Sequence, residues 1–362
     1  MKIAILGTRG IPNNYGGFEQ CAEQLSVQLV EKGYDVTVYS VNNHPYNKKY
    51  FKGVRVIKKW CPEHIIGSAA HFIYDFICLK DALKKYDVIF EFGYQSVAIS
   101  FLLLSIKKSV IVTNMDGLEW KRDKWSPFVK QITKYFEYIA AKKSTALVSD
   151  NVGIQKYLNE KYNVVSSMIP YGVDEVSPKQ SIIQHYKVNP FLYFLLVARL
   201  EPENNIEMIL NGYVKSKSDI PFLVVGDNKT KYGLFLKNKY KISGTKFLGS
   251  IYNKEDLDSL RHFSKCYFHG HSVGGTNPSL LEAMAAKSLI FAHNNVFNRN
   301  VLEDNAYYFD SESEIKKMLI NIDKLNEKKE EMTNGNIKKI KKKYTHKNIT
   351  KQYINLIKSV TK

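Results

Sequence analysis

The chain has 362 residues, 44% of them hydrophobic and 24% charged, which excludes a disordered chain, a collagen and a disulfide-stapled mini-protein. That length suits two domains of about 150 residues better than one. The net charge of +18 is uneven: residues 1–170 hold 23 Lys+Arg against 15 Asp+Glu, whereas residues 335–362 hold nine lysines and no acid. A basic surface fits nucleic acid, an anionic membrane face or acidic substrates, and charge alone does not choose among them.

Short apolar runs alternate with helical patterns, the signature of parallel sheets built from βαβ units. In the first half, strands are predicted at 2–6, 35–41, 54–58, 88–92, 110–114, 145–149 and 167–170. A helix over 18–32 places Cys21, Leu25, Leu29 and Val30 on one face. In the second half, strands are predicted at 192–198, 222–226, 246–248, 265–269, 288–292 and 306–309. Helices fit 206–215, 254–263, 278–286 and 312–321. The polar stretch 171–190, with two prolines and no clear period, reads as a linker. The expected organisation is a Rossmann-like domain at 1–170, the linker at 171–190, a second Rossmann-like domain at 191–340 and a basic helix at 341–362. Two doubly wound α/β domains in series imply a cleft with ligands at the carboxyl ends of both sheets.

The four cysteines, Cys21, Cys61, Cys78 and Cys266, form no C-x-x-C pair and read as reduced thiols. The apolar stretches 65–79 and 97–106 fall short of the roughly 20 residues of a membrane span. No signal-like segment precedes the first strand, so the expected location is cytoplasmic.

Three loops carry the chemistry. The first strand ends in Gly7-Thr8-Arg9-Gly10-Ile11-Pro12, and Gly16-Gly17 then open a helix. Arg9, Gly16 and Gly17 would form a ligand loop at a helix amino end. The spacing is not the dinucleotide fingerprint, and the second strand ends without an acid, which disfavours nicotinamide. Arg199 follows the 192–198 strand, where it can hold a diphosphate with its fork or pair with Glu201 or Glu203. The third loop, His269 to Ala285, is a strand, a glycine turn and a helix with Pro278 in its first turn. Thr276 and Asn277 are expected to cap that helix, whose amino end attracts anions. Glu282, one turn in, can accept from a ribose hydroxyl or can be a solvated helix residue. Asp256-Leu257-Asp258 has D-x-D spacing but sits in a helical pattern, so no metal site is expected there.

These motifs, together with Ile169-Pro170-Tyr171-Gly172-Val173-Asp174 at the domain junction, resemble the retaining nucleotide-sugar glycosyltransferases of family 4, whose fold is GT-B. The segments from Arg9 to Glu19, Asp116-Gly117-Leu118-Glu119-Trp120-Lys121-Arg122 and Gly275-Thr276-Asn277-Pro278-Ser279 are similar to the bacterial polysaccharide subgroup that includes rhamnosyltransferases. The resemblance implies catalytic roles for Asp116, Arg199 and Glu282. It implies substrate contacts by Arg9, Gly16, Gly17, Gly117, Glu119, His271, Gly275, Thr276, Asn277, Pro278 and Ser279. The family's first glutamate is replaced by Gly274, so the donor sugar would be held by His271 or by the backbone of Gly275 and Thr276. The family's lysine aligns with Asn204, which shifts diphosphate charge onto Arg199, and its histidine aligns with Asp116.

Helix dipoles and basic side chains then neutralise the leaving diphosphate, so neither a metal nor a cofactor is implied. The implied partners are a nucleotide-sugar donor, dTDP- or UDP-linked, and a polyprenyl-diphosphate-linked glycan acceptor. An anionic membrane surface would meet the Trp-Lys segments 120–130 and 48–60, or these are solvated faces over core aromatics; the resemblance implies that the basic last helix crosses back to the first domain, which would join both basic regions on one face. The competing classes are a nucleotide-sugar 2-epimerase and a nucleic-acid-binding protein. No base-stacking platform or recognition helix is legible for the latter.

Overall fold

The computed structural model describes residues 1–106, 108–115, 117–122, 125–241 and 243–361. By contacts they form two units. The first contains residues 1–121, 125–172 and the carboxyl-terminal segment from His346; the second contains Val173–Thr345 and Arg122.

The first unit's sheet uses β1 (Lys2–Leu6), β2 (Asp35–Val41), β3 (Tyr50–Phe51), β4 (Val54–Lys59), β5 (Val88–Phe92), β6 (Val110–Asn114), β7 (Ala146–Ser149) and β8 (Ser167–Met168). Their order is β3-β4-β2-β1-β5-β6-β7-β8, parallel except for the β3–β4 pair. The second sheet uses β9 (Phe194–Val197), β10 (Phe222–Val225), β11 (Thr245–Gly249), β12 (Cys266–His269), β13 (Ile290–His293) and β14 (Tyr307–Phe309), in the order β11-β10-β9-β12-β13-β14, all parallel. Helices cover both faces of a parallel sheet, which is why these strands are continuous apolar runs rather than alternating ones. In the second unit Phe194, Phe222, Phe268 and Phe291 form a buried aromatic stack, with Phe222 and Phe268 centroids 5.3 Å apart.

Each sheet reverses direction once, between β1 and β5 and between β9 and β12. Loops leaving those strands diverge to opposite sides and open a crevice at each carboxyl edge. Arg9 follows β1; Arg199 and His271 follow β9 and β12.

The stretch 171–190 is more ordered than a linker. Val173 already pairs with the second unit, its N–H donating to Tyr344 O at 2.8 Å, and Gln180–Gln184 is a helical turn with Ile183 buried. The short helix hides in the sequence because five residues cannot display a helical period. The final helix, His346–Val360, packs in the first unit beside the Gly17–Glu31 helix. Its Ile349, Tyr353 and Ile357 are buried, and Tyr353 meets Phe90 edge-on at 5.3 Å. The tail's apolar stripe is therefore core packing, with each such side chain contributing roughly 1.5–3 kcal/mol.

Candidate active site

At the second unit's reversal point two loops lock together. Asn204 Nδ2 donates to Arg199 O at 2.7 Å, and Asn205 Nδ2 donates to Gly270 O at 2.8 Å. Ser272 donates both its N–H and its hydroxyl to Glu203 O, at 3.1 and 2.7 Å. The approach is so close that a Cβ on Gly270 would lie 2.0 Å from Asn204 O. Asn204 thus braces the loop instead of standing in for a phosphate-binding lysine.

Arg199 is exposed, and among the described residues no carboxylate pairs with it. The alternative pairing with Glu203 is not formed: Glu203 is buried and lies 3.5 Å from Arg122. His269 and His271 stack with centroids 4.4 Å apart and planes 15° apart. His269 is fully buried, and among the described residues neither of its ring nitrogens has a hydrogen-bond partner. Burial, then the charges of Arg199 and Arg122, push His271 down to about 3, so it is neutral at physiological pH. A neutral imidazole offers one donor and one acceptor, as a sugar hydroxyl does.

The Pro278–Ala285 helix begins at this edge. Asn277 is its cap, with Oδ1 accepting from Ser279 N at 2.9 Å; Thr276 is buried just before it. The Leu280 N–H also bonds Asn277 O, at 3.0 Å, so the helix's own first donors are engaged. Charge attraction here comes from the dipole and the half-buried loop of Gly274 and Gly275. Glu282 is not a solvated helix residue: its Oε2 lies 2.6 Å from Arg261, and its side chain is 14% exposed. Asp258 is likewise buried, paired with Lys254 and lying 3.7 Å from Arg261. Asp256 accepts from the Tyr186 hydroxyl, so the D-x-D acids serve the fold.

In the first unit, the edge between β1 and β5 is built differently. Arg9 forks onto Glu63, at 2.7 and 2.5 Å, and lies 4.1 Å over the Tyr15 ring. The fork holds the Glu63 carboxyl below its usual range. The Arg9 N–H donates to buried Glu19 at 2.9 Å. Arg9 is thus already partnered, and Gly16 caps its helix with no side-chain hydrogen bond. Gly7 brings β1 against β5: its φ is +77°, and a Cβ there would meet Phe92 O at 2.3 Å and Glu91 Oε1 at 2.7 Å. Glu91 and Asp75 are buried, and burial raises both carboxyls strongly. Gly117 is buried with φ +63°, and Glu119 accepts from Trp125 Nε1 at 3.4 Å. Asp116 lies outside the described residues.

Arg261, His269 and Glu63 escaped the sequence reading. Arg261 lies in a helix, Lys254–His262, that is mostly polar and charged in sequence, and Glu63 is 54 positions from the arginine it holds. Only His269, two positions from His271 at a strand end, left a visible signal.

Residues 179–343 match the family described as "Glycosyl transferases group 1", and residues 1–174 match a domain of unknown function, DUF1972. Among curated proteins nothing matches the sequence. Sucrose-phosphate synthase from Thermosynechococcus elongatus superposes with a TM-score of 0.78 at 15% identity, covering 99% of this chain and 98% of that one. HepE of Anabaena, in complex with UDP-glucose, gives 0.76 at 16% identity over 99% and 100%. The trehalose 6-phosphate synthase of Burkholderia multivorans gives 0.76 at 11% identity over 99% and 96%. The fold is therefore GT-B. The second unit carries a glycosyl transferases group 1 domain, and the chain is an enzyme, a glycosyltransferase.

Proposed function

We propose that this glycosyltransferase is a retaining enzyme of family 4, close to the polysaccharide rhamnosyltransferases, that moves L-rhamnose from dTDP-rhamnose to a lipid-linked glycan acceptor. The observation that carries the reading is the second unit's edge. An exposed, carboxylate-free Arg199, a neutral His271 and the amino end of the Glu282 helix share one loop cluster there. Arg199 and the helix dipole take the diphosphate, Glu282 takes the ribose, and His271 with Gly275 and Thr276 takes the sugar. The acceptor hydroxyl attacks the anomeric carbon on the face the diphosphate leaves. The new carbon–oxygen bond forms as the bond to phosphate breaks, and the hydroxyl proton passes to the departing phosphate oxygen. Neither a metal nor a cofactor enters this reading, and Asp116 positions a sugar.

An anionic membrane surface is the third partner. Its support comes from the first unit, where the helices Glu63–Ile66, Ala70–Ala82, Ala98–Leu103 and Pro127–Lys143 pack in succession. They leave Ile65, Ile66, Leu102, Leu103 and Phe128 between 46% and 74% exposed, with Lys108 and Lys121 exposed in the adjoining loops. Such apolar exposure beside bases suits a headgroup region. Trp120 is no part of it, because its ring lies against Tyr157 and under Lys134 at 4.3 Å. Among the described residues no helix is long and apolar enough to cross a membrane.

A UDP-hexose donor is the second reading, favoured by the UDP-glucose bound to Anabaena HepE. The test is thermal stabilisation by dTDP-rhamnose, UDP-glucose, UDP-galactose, UDP-N-acetylglucosamine and GDP-mannose in EDTA. A selective shift with dTDP-rhamnose supports the first reading. A shift with a UDP or GDP sugar alone discards rhamnose, and no shift at all sinks the donor assignment.

A further inference from the structure

The structure assigns Arg261 as the positioning residue that sets Glu282 and the Pro278–Ala285 helix in register with the donor, an inference that rests on the nucleotide-sugar reading above. Arg261 is among the largest fully buried side chains, 1% exposed, in the Lys254–His262 helix. Its Nη2 meets Glu282 Oε2 at 2.6 Å and donates to Ser279 Oγ at 3.2 Å; its Nη1 lies 3.7 Å from Asp258 Oδ1. The Ser279 hydroxyl in turn is 2.7 Å from the Tyr267 hydroxyl and 3.3 Å from Val197 O. One guanidinium therefore ties β9, through Ser279, to two points of the donor helix one turn apart.

A core needs no such arrangement. Burying a guanidinium with two carboxylates is costly, and an apolar side chain of similar volume would often serve stability as well. What the ion pair supplies is direction. Glu282 lies on a helix whose neighbouring side chains Leu280, Leu281, Ala283 and Met284 are buried, while its own side chain is 14% exposed. Held on Oε2 by Arg261 Nη2, of a guanidinium whose Nη1 faces Asp258, its carboxylate is kept in one orientation. Lysine in the same place would keep the charge but lose the planar guanidinium that serves Glu282 and Ser279 through Nη2 while Nη1 faces Asp258.

The experiment measures donor affinity by calorimetry on the full chain, using UDP-glucose and dTDP-rhamnose as probes, in the wild type, Arg261→Lys, Glu282→Gln and the double variant. Positioning through Glu282 predicts that Arg261→Lys weakens the bound donor about tenfold in the wild-type background and less than about twofold in Glu282→Gln, because the two changes act on one interaction. Equal losses in both backgrounds mean that Arg261 only holds the fold, and they overturn the inference. An unchanged affinity in folded Arg261→Lys overturns it as well. Should that variant fail to fold, Ser279→Ala removes the second acceptor of Arg261 Nη2 without stranding a charge and is expected to weaken binding about threefold; no change there is contrary. A wild type that binds neither probe, nor any other nucleotide sugar, overturns the donor reading itself, and that result is distinct from a positioning failure.

Discussion

The two sheet edges have the same topology and opposite electrostatics. At the β1/β5 edge the one arginine, Arg9, is consumed by Glu63 and Tyr15, and two acids, Glu91 and Asp75, lie buried beneath the glycine that joins the strands. At the β9/β12 edge Arg199 is exposed without a carboxylate, two histidines are held neutral, and the buried arginine lies behind the helix. Equal topology thus does not make equal sites. The second edge offers an open cation, whereas at the first the arginine is paired and the buried Glu91 carboxyl has no hydrogen-bond partner among the described residues.

The largest break in this contrast is expected from Arg199→Ala, which removes the open cation. Turnover should fall about a hundredfold or more, as for a lost leaving-group stabiliser, while the melting temperature stays within a degree or so because the side chain is exposed. Initial rates of sugar release from the donor, alongside a melting curve, check this. Gly270→Ala comes next. A methyl 2.0 Å from Asn204 O must push the two second-unit loops apart, with a loss of about 1–3 kcal/mol in denaturant unfolding and weaker donor binding.

The first edge should answer to pH instead. Glu91 and Asp75 have carboxyls raised above the ~4 of an unfolded chain, chiefly by burial. The folded state therefore favours their protonated forms. That stability is complete below the unfolded value and is lost as pH rises through the raised ones. Melting temperature should fall from pH 5 toward pH 9, and Glu91→Gln should flatten the slope; an identical slope in the variant would refute the assignment. Arg9→Lys is the smallest change. It loses the fork on a pair that is about a quarter exposed, so the cost is about 1 kcal/mol or less in a urea titration.

Most strands were legible because a parallel strand buried on both faces is a bare apolar run such as that of β9 or β10. The expected 246–248 strand extends to Thr245–Gly249, and the expected 288–292 strand begins two residues later at Ile290, since ends are set by pairing rather than by composition. Arg199 and the helix with Pro278 and Glu282 were legible because strand, turn and cap follow one another in sequence. Arg261 was not. It acts across 18 and 21 positions on Ser279 and Glu282, and its helix is mostly polar and charged, with only Leu257 and Leu260 apolar. The pairing of Arg9 with Glu63 was hidden in the same way, across 54 positions.

The central claim is that the open cation of the second edge holds the donor's diphosphate. The most direct measurement is the affinity of the wild type and Arg199→Ala for dTDP and UDP in the presence of EDTA, by calorimetry. The account predicts binding of at least one nucleotide by the wild type and about tenfold weaker binding by the variant at equal thermal stability. Equal affinity in the two proteins would contradict it.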